Sequence, residues 1–239
     1  MIKNKFPGFE AAQRPSMGLS MIFDISGFTN FFNKPDIHHY MTEYINHIIE
    51  CVEITIWGGD NYWMETERDY ETLNELPLKP FMRKFLGDGM LYVWEDNEER
   101  LLSDKDFKVQ LINRLYNLQL HFAEVNRRLQ EDIPIGDLPE KIKFGLAQGS
   151  IFKLLDSNGN EDCIGPCVNL ASRLVKYCPE INFIASARLN LPKKSLKDNG
   201  YCKIIARELR SFENEIIIID EGDYNNVSID DKERLFKEL

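Results

Sequence analysis

Short apolar runs of strand length alternate along this chain with two long stretches of helical periodicity, and that order leaves few folds open. Leu19 to Asp24, bounded by Gly18 and Gly27, reads as a buried strand that ends on an acid. From Asp36 onward, Ile37, Met41, Tyr44, Ile45, Ile48, Ile49 and Val52 share one helical face, with Gly58-Gly59 as the stop. Phe81 to Phe85 and Met90 to Trp94 flank Leu86-Gly87-Asp88-Gly89, which predicts a hairpin with an acid at its tip. Lys105 to Gln130 carries Phe107, Val109, Leu111, Ile112, Leu115, Leu118, Phe122 and Val125, a second helix facing the core. Ile142 to Leu155 alternates, turns at residues 156–159 and returns through residues 162–164, and Pro166 to Leu174 reads as a helix with proline in its first turn. Asn182 to Ala185, Tyr201 to Leu209 and Ile216 to Asp220 add strands, and Val227 to Leu239 reads as a charged tail with helix as its alternative. The expected class is α+β, one sheet covered by helices.

At 239 residues, one well-filled core is the default, here divided as residues 1–16, 17–221 and 222–239. With 43% apolar and 28% charged residues, the composition excludes a disordered, fibrous or membrane protein. No apolar run approaches the ~18–20 residues that span a bilayer, and the start lacks the apolar stretch of a secretory signal, so a cytoplasmic chain is expected. The five cysteines form an odd set without a second ligand pair at zinc-site spacing, which predicts free thiols. Their compartment also leaves the sequon at Asn226 without meaning. Acids outnumber bases by 39 to 29, so neither nucleic acid nor a membrane is an expected partner, and a polyphosphate ligand would need local cations. The polar connection over residues 57–80 is broken by Pro77 and Pro80.

Asp24 and Asp88 are each ordinary alone, because aspartate caps helices and Asp-Gly makes turns. Should their strands pair side by side, the carboxylates would meet at one edge, where repulsion calls for a cation. Hard oxygen donors of this kind suit Mg²⁺ or Mn²⁺. Asn169 and Arg173, four apart, share a helical face and offer an amide and a fixed cation for ribose and phosphate.

The segments FDISGFT (23–29), KFLGDG (84–89) and DCIGPCVNLASRL (162–174) resemble, in that order, the signatures of class III nucleotidyl cyclases. The similarity spans roughly Met17 to Asp220. It implies a ferredoxin-like βαββαβ core sheet with extra strands and helices on one face. It further implies two divalent metal ions, Mn²⁺ or Mg²⁺, held by Asp24, Asp88 and the backbone carbonyl of Ile25. Asn169 would orient the ribose and Arg173 would stabilise the transition state, while Lys84 and Asp162 would read the base. Phe28 joins the substrate-binding set by the same resemblance. Arg210, in Leu209-Arg210-Ser211-Phe212, stands where the family shows a Lys-Gly-Lys run that binds the triphosphate. Metal acids and the Asn/Arg pair of one site come from different subunits in this family, so a homodimer with two composite sites is implied.

Lys84 donates and ionised Asp162 accepts, a pattern that fits adenine or cytosine rather than guanine or uracil. The layout is most similar to the stand-alone Pycsar pyrimidine cyclases of bacterial antiphage defence, which make cyclic CMP or cyclic UMP. The resemblance lies in the lack of a sensor or membrane domain, the aromatic strand FMRKFLGDGMLYVW (81–94) and the long connection before it. It implies CTP or UTP as substrate and a separate effector protein activated by the product. An adenylate cyclase making cAMP is the alternative, carried by Lys84 and Asp162. An inactive nucleotide-binding module ranks below both, since Asp24, Asp88 and Arg173 are all present. Gly58-Gly59-Asp60-Asn61-Tyr62 begins like a diguanylate cyclase signature but follows a helix, and His39, Glu43 and His47 read as a polar surface stripe. A polymerase-like palm lacks template-binding basic surface in so acidic a chain.

Overall fold

The structure, a computed structural model, describes residues 9–12, 14–58, 79–96, 105–130, 133–134, 136–156 and 161–239. The expected glycine stop at Gly59, the segment 59–78 and the turn residues 157–159 lie outside the described residues. Among the described residues the strands are β1 (Phe9–Ala12), β2 (Ser16–Ser26), β3 (Met82–Phe85), β4 (Gly89–Glu95), β5 (Lys141–Asp156), β6 (Glu161–Ile164), β7 (Phe183–Ser186), β8 (Tyr201–Ala206), β9 (Glu215–Asp220) and β10 (Phe236–Lys237). The helices are α1 (Phe28–Phe32), α2 (Met41–Trp57), α3 (Lys105–Leu129), α4 (Pro166–Leu174), α5 (Lys193–Asp198), α6 (Glu221–Asn226) and α7 (Ile229–Leu235).

The strands form one sheet in the order β10-β8-β9-β7-β5-β2-β4-β3, with β1 and β6 both pairing the long strand β5. Its centre, β5-β2-β4-β3, is antiparallel throughout and is built from β2, α2, β3, β4, α3 and β5 in chain order, the ferredoxin-like arrangement. β7 joins β5 in parallel, as a crossover through α4 requires.

Alternation along β2 sorts the two faces. Leu19, Met21, Phe23 and Ile25 pack into the core made with α2 and α3, whereas Ile22 belongs to the core under α4. Burying an aromatic such as Phe23, 1% exposed, contributes roughly 2–3 kcal/mol. The two long helices share one face as expected; α4 lies on the other. It can settle there because β5 turns glycines towards it: a Cβ on Gly145 would stand 2.3 Å from the Ala171 carbonyl oxygen and 2.7 Å from the Val175 nitrogen. Pro166 occupies the first turn of α4.

Gly58 ends α2 in the left-handed conformation, φ 103°, with its N–H turned back on the last carbonyls. The sequence between Val227 and Leu239 is more than a charged tail: α7 and β10 fold back onto β8, and Val227, Leu235 and Phe236 are buried. Their wide spacing among charged residues hides the apolar face from a local reading. None of the five cysteines is joined in a disulfide, and no described helix is long and apolar enough to cross a membrane. His39 and Glu43 are exposed, and no group of three acidic, histidine or cysteine side chains with metal-site geometry occurs among the described residues.

Candidate active site

Asp24 lies two residues before the end of β2, opposite Gly89 on one neighbour and Lys143 on the other. The hairpin of β3 and β4 closes with Phe85 opposite Met90 and with the Leu86 N–H donating to the Gly89 carbonyl over 2.9 Å. Gly87 takes the turn at φ 102°, a conformation that favours glycine. Gly89 serves close approach, since a Cβ there would stand 1.9 Å from the Phe23 carbonyl oxygen. The Ile25 N–H donates to the Asp88 carbonyl over 2.8 Å, which ties the hairpin tip to the strand end. N–H and C=O of a strand residue point the same way, so the Ile25 carbonyl is turned towards that tip as well. Asp24, Ile25 and Asp88 therefore converge at one end of the sheet.

Burial pushes the Asp24 carboxyl above the usual aspartate range, and the charge of Asp88 pushes it further. Lys176, whose ammonium lies 3.4 Å from Asp24 Oδ1, and Lys143 offset this in part. Lys143 is half-buried and donates to the carbonyls of Pro179 at 2.8 Å and Cys178 at 3.1 Å; burial draws its pKa down, with the nearby anions opposing. Neither lysine stands out in the sequence. Lys176 falls one turn beyond Arg173, and that spacing is the only local signal for it. Oxygen donors that repel one another and already attract an ammonium form a donor set that fits a hard divalent cation.

Lys84 on β3 and Asp162 on β6 meet directly, Nζ to Oδ2, at 2.6 Å. The Cys163 N–H also donates to Asp162 over 2.8 Å. Burial alone would raise the Asp162 pKa, but the Lys84 and Cys163 hydrogen bonds outweigh it and hold the carboxyl below its ordinary value. Asn169 and Arg173 project from the exposed side of α4, and among the described hydrogen bonds and ion pairs none joins them to Asp24 or Asp88.

Two residues differ from expectation or stand apart. Phe28 is 8% exposed and its ring lies tilted against Phe31 and Phe32 at 6.4 and 6.2 Å, which places it in the core. Arg210 is exposed in the loop joining β8 to β9. The registers put that loop at the opposite end of the sheet from Asp24, because Tyr201 pairs Asp220 at the near end and Ala206 pairs Glu215 at the far one. Ser211 has φ 67°, the conformation open to the glycine of a Lys-Gly-Lys run. Arg188 clamps Glu215 at the loop's far side through two hydrogen bonds of 2.8 and 2.7 Å and covers Phe212, 5.7 Å from the ring centroid.

No family model matches the chain, and no curated protein matches it in sequence. Solved structures match its fold. The adenylyl cyclase CyaB from P. aeruginosa superposes with a TM-score of 0.58 at 17% identity, over 87% of this chain and 95% of that one. The guanylyl cyclase Cya2 gives 0.57 at 14% identity, over 88% and 93%. The guanylate cyclase domain of RhGC from Catenaria anguillulae, solved in complex with GTP, gives 0.55 at 15% identity, over 86% and 97%. With its ferredoxin-like centre, its parallel β7 and the strand end that gathers Asp24 and Asp88, the chain has the fold of class III adenylyl and guanylyl cyclase domains.

Proposed function

We propose that the protein is a nucleotidyl cyclase that converts a pyrimidine ribonucleoside triphosphate, CTP or UTP, to its 3′,5′-cyclic monophosphate and pyrophosphate. The observation that carries the reading is the convergence of Asp24 and Asp88, two acids far apart in sequence, beside the Ile25 carbonyl. These donors would hold two divalent ions, Mn²⁺ or Mg²⁺. Bound there, the metals lower the charge on the attacking 3′ oxygen and on the triphosphate. The chain's own residues do the rest. Asn169 orients the ribose, and Arg173 meets the charge that develops as the 3′ oxygen attacks the α-phosphorus in line. Arg210, at the far end of its own sheet, serves the triphosphate held by a partner subunit. The head-to-tail homodimer that this requires also brings Arg173 of one subunit to the acids of the other.

The Lys84–Asp162 contact supports recognition of an edge with a ring-nitrogen acceptor beside an exocyclic amine. Among pyrimidines that edge is cytosine's. Adenine shows it too, so ATP is the second reading, favoured by the same contact. Resemblance to the Pycsar cyclases supports a role in antiphage defence, in which the cyclic nucleotide activates a separate effector. The test is incubation of the purified protein with Mn²⁺ and each of the four ribonucleoside triphosphates, with products identified by mass. Cyclic CMP or cyclic UMP supports the pyrimidine reading; cyclic AMP alone replaces it with the second; no cyclic product from any triphosphate overturns both.

A further inference from the structure

Lys176 has no part in the roles assigned above, yet its ammonium lies 3.4 Å from Asp24 Oδ1, on the candidate metal ligand itself. Its position is set by the fold. α4 runs antiparallel to β5, seated by Gly145 and Gly149, so the residues just past its end arrive at the strand end that carries Asp24. The Lys176 N–H closes the last turn on the Arg173 carbonyl. Asp24 is largely buried, its side chain 18% exposed, whereas Lys176 is 66% exposed. The acid is therefore fixed and the cation is free to leave.

We propose that Lys176 is an exchange cation: it neutralises Asp24 in the metal-free protein, yields that carboxylate to the incoming divalent ion, and then serves the phosphate chain of the nucleotide. This rests on the cyclase reading above for the anion that arrives with the metal. The ammonium stands at Asp24 Oδ1, one of the few oxygens that two divalent ions would share, and its charge opposes theirs, so metal entry displaces the lysine. Lys143 cannot take over this role, because two backbone carbonyls hold its ammonium. A long flexible side chain displaced next to a triphosphate is a point-charge phosphate ligand.

The test compares wild type, Lys176→Met, which keeps the stem, and Lys176→Arg, which keeps the charge. Mn²⁺ binding is measured by electron paramagnetic resonance without nucleotide, and the KM for the turned-over triphosphate is measured at saturating Mn²⁺. Lys176→Met is expected to bind Mn²⁺ roughly two- to fivefold more tightly, the scale of an exposed ion pair removed. Its KM is expected to rise roughly tenfold, as for a lost hydrogen bond to a charged group. Lys176→Arg retains the wild-type values on both. Unchanged Mn²⁺ affinity in Lys176→Met overturns the exchange role. Asp24→Asn is the separating control: if it binds Mn²⁺ as the wild type does, the metal is not at Asp24 and the metal-site reading falls together with the exchange.

Discussion

Gly89 and Phe23 touch backbone to backbone, so closely that a single methyl on Gly89 would stand 1.9 Å from the Phe23 carbonyl oxygen. This contact, more than the turn itself, brings Asp88 beside Asp24. Gly89→Ala is expected to push the hairpin from the strand end and to destabilise the fold by about 1–3 kcal/mol. Mn²⁺-induced stabilisation should vanish with it. Thermal melts with and without Mn²⁺ check both effects.

The raised pKa of Asp24 has a defined sign. A carboxyl whose folded pKa exceeds its unfolded one lowers stability where it is ionised, and that loss is recovered as pH falls through the folded value. Asp24→Asn should therefore melt at or above the wild-type temperature at neutral pH in chelator, remain folded, and gain nothing from Mn²⁺. Because the proton and the metal compete for the same carboxylate, Mn²⁺ affinity should begin to fall on acidification at a pH above the ordinary aspartate range, and Mn²⁺ titrations at a series of pH values test this.

Asp162 behaves oppositely: its pKa is depressed, so its contribution is present above the unfolded value and is lost only as pH drops through the folded one. Base preference should accordingly be constant from neutral pH down to well below the histidine range. The Lys84–Asp162 pair is partly exposed, 52% and 29%, and is worth about 0–1 kcal/mol to stability. Asp162→Asn should leave the melting temperature nearly unchanged while cutting kcat/KM for the preferred triphosphate by about 10–100-fold. Competition assays with all four triphosphates read the change.

Arg173 does not contact the acids of its own chain, so the composite-site reading makes a mixing prediction. Asp24→Ala and Arg173→Ala homodimers should each be inactive. Mixed after subunit exchange, they should recover about a quarter of wild-type activity, since about half the dimers are hybrid and each hybrid holds one intact site. No recovery under proven exchange would mean that one chain supplies the whole site.

Much of this architecture is legible in the sequence because local chemistry dictates it. The Gly87 turn forces the β3–β4 hairpin, and the apolar run before Asp24 forces a strand that carries Asp24 two residues before its end. The register that pairs Asp24 with Gly89 follows from both. Lys143 and Lys176 carry no local signal: the first is set beside Asp24 by the β2–β5 register, and the second by how α4 crosses β5, a packing event set by Gly145 and Gly149. Phe28 carries no sequence signal that separates a ring facing a ligand from one that, as here, also packs on Phe31. Val227, Leu235 and Phe236 were lost among charges, since their partners come from β8 and its neighbours.

The most direct measurement is anomalous diffraction at the manganese edge from crystals grown with Mn²⁺ and a non-cyclisable analogue of the turned-over triphosphate. The expected map has manganese between the carboxylates of Asp24 and Asp88, at the Ile25 carbonyl, with Arg173 of a second subunit reaching the phosphates. Manganese bound elsewhere, or a nucleotide seated away from those two acids, would contradict the proposed site.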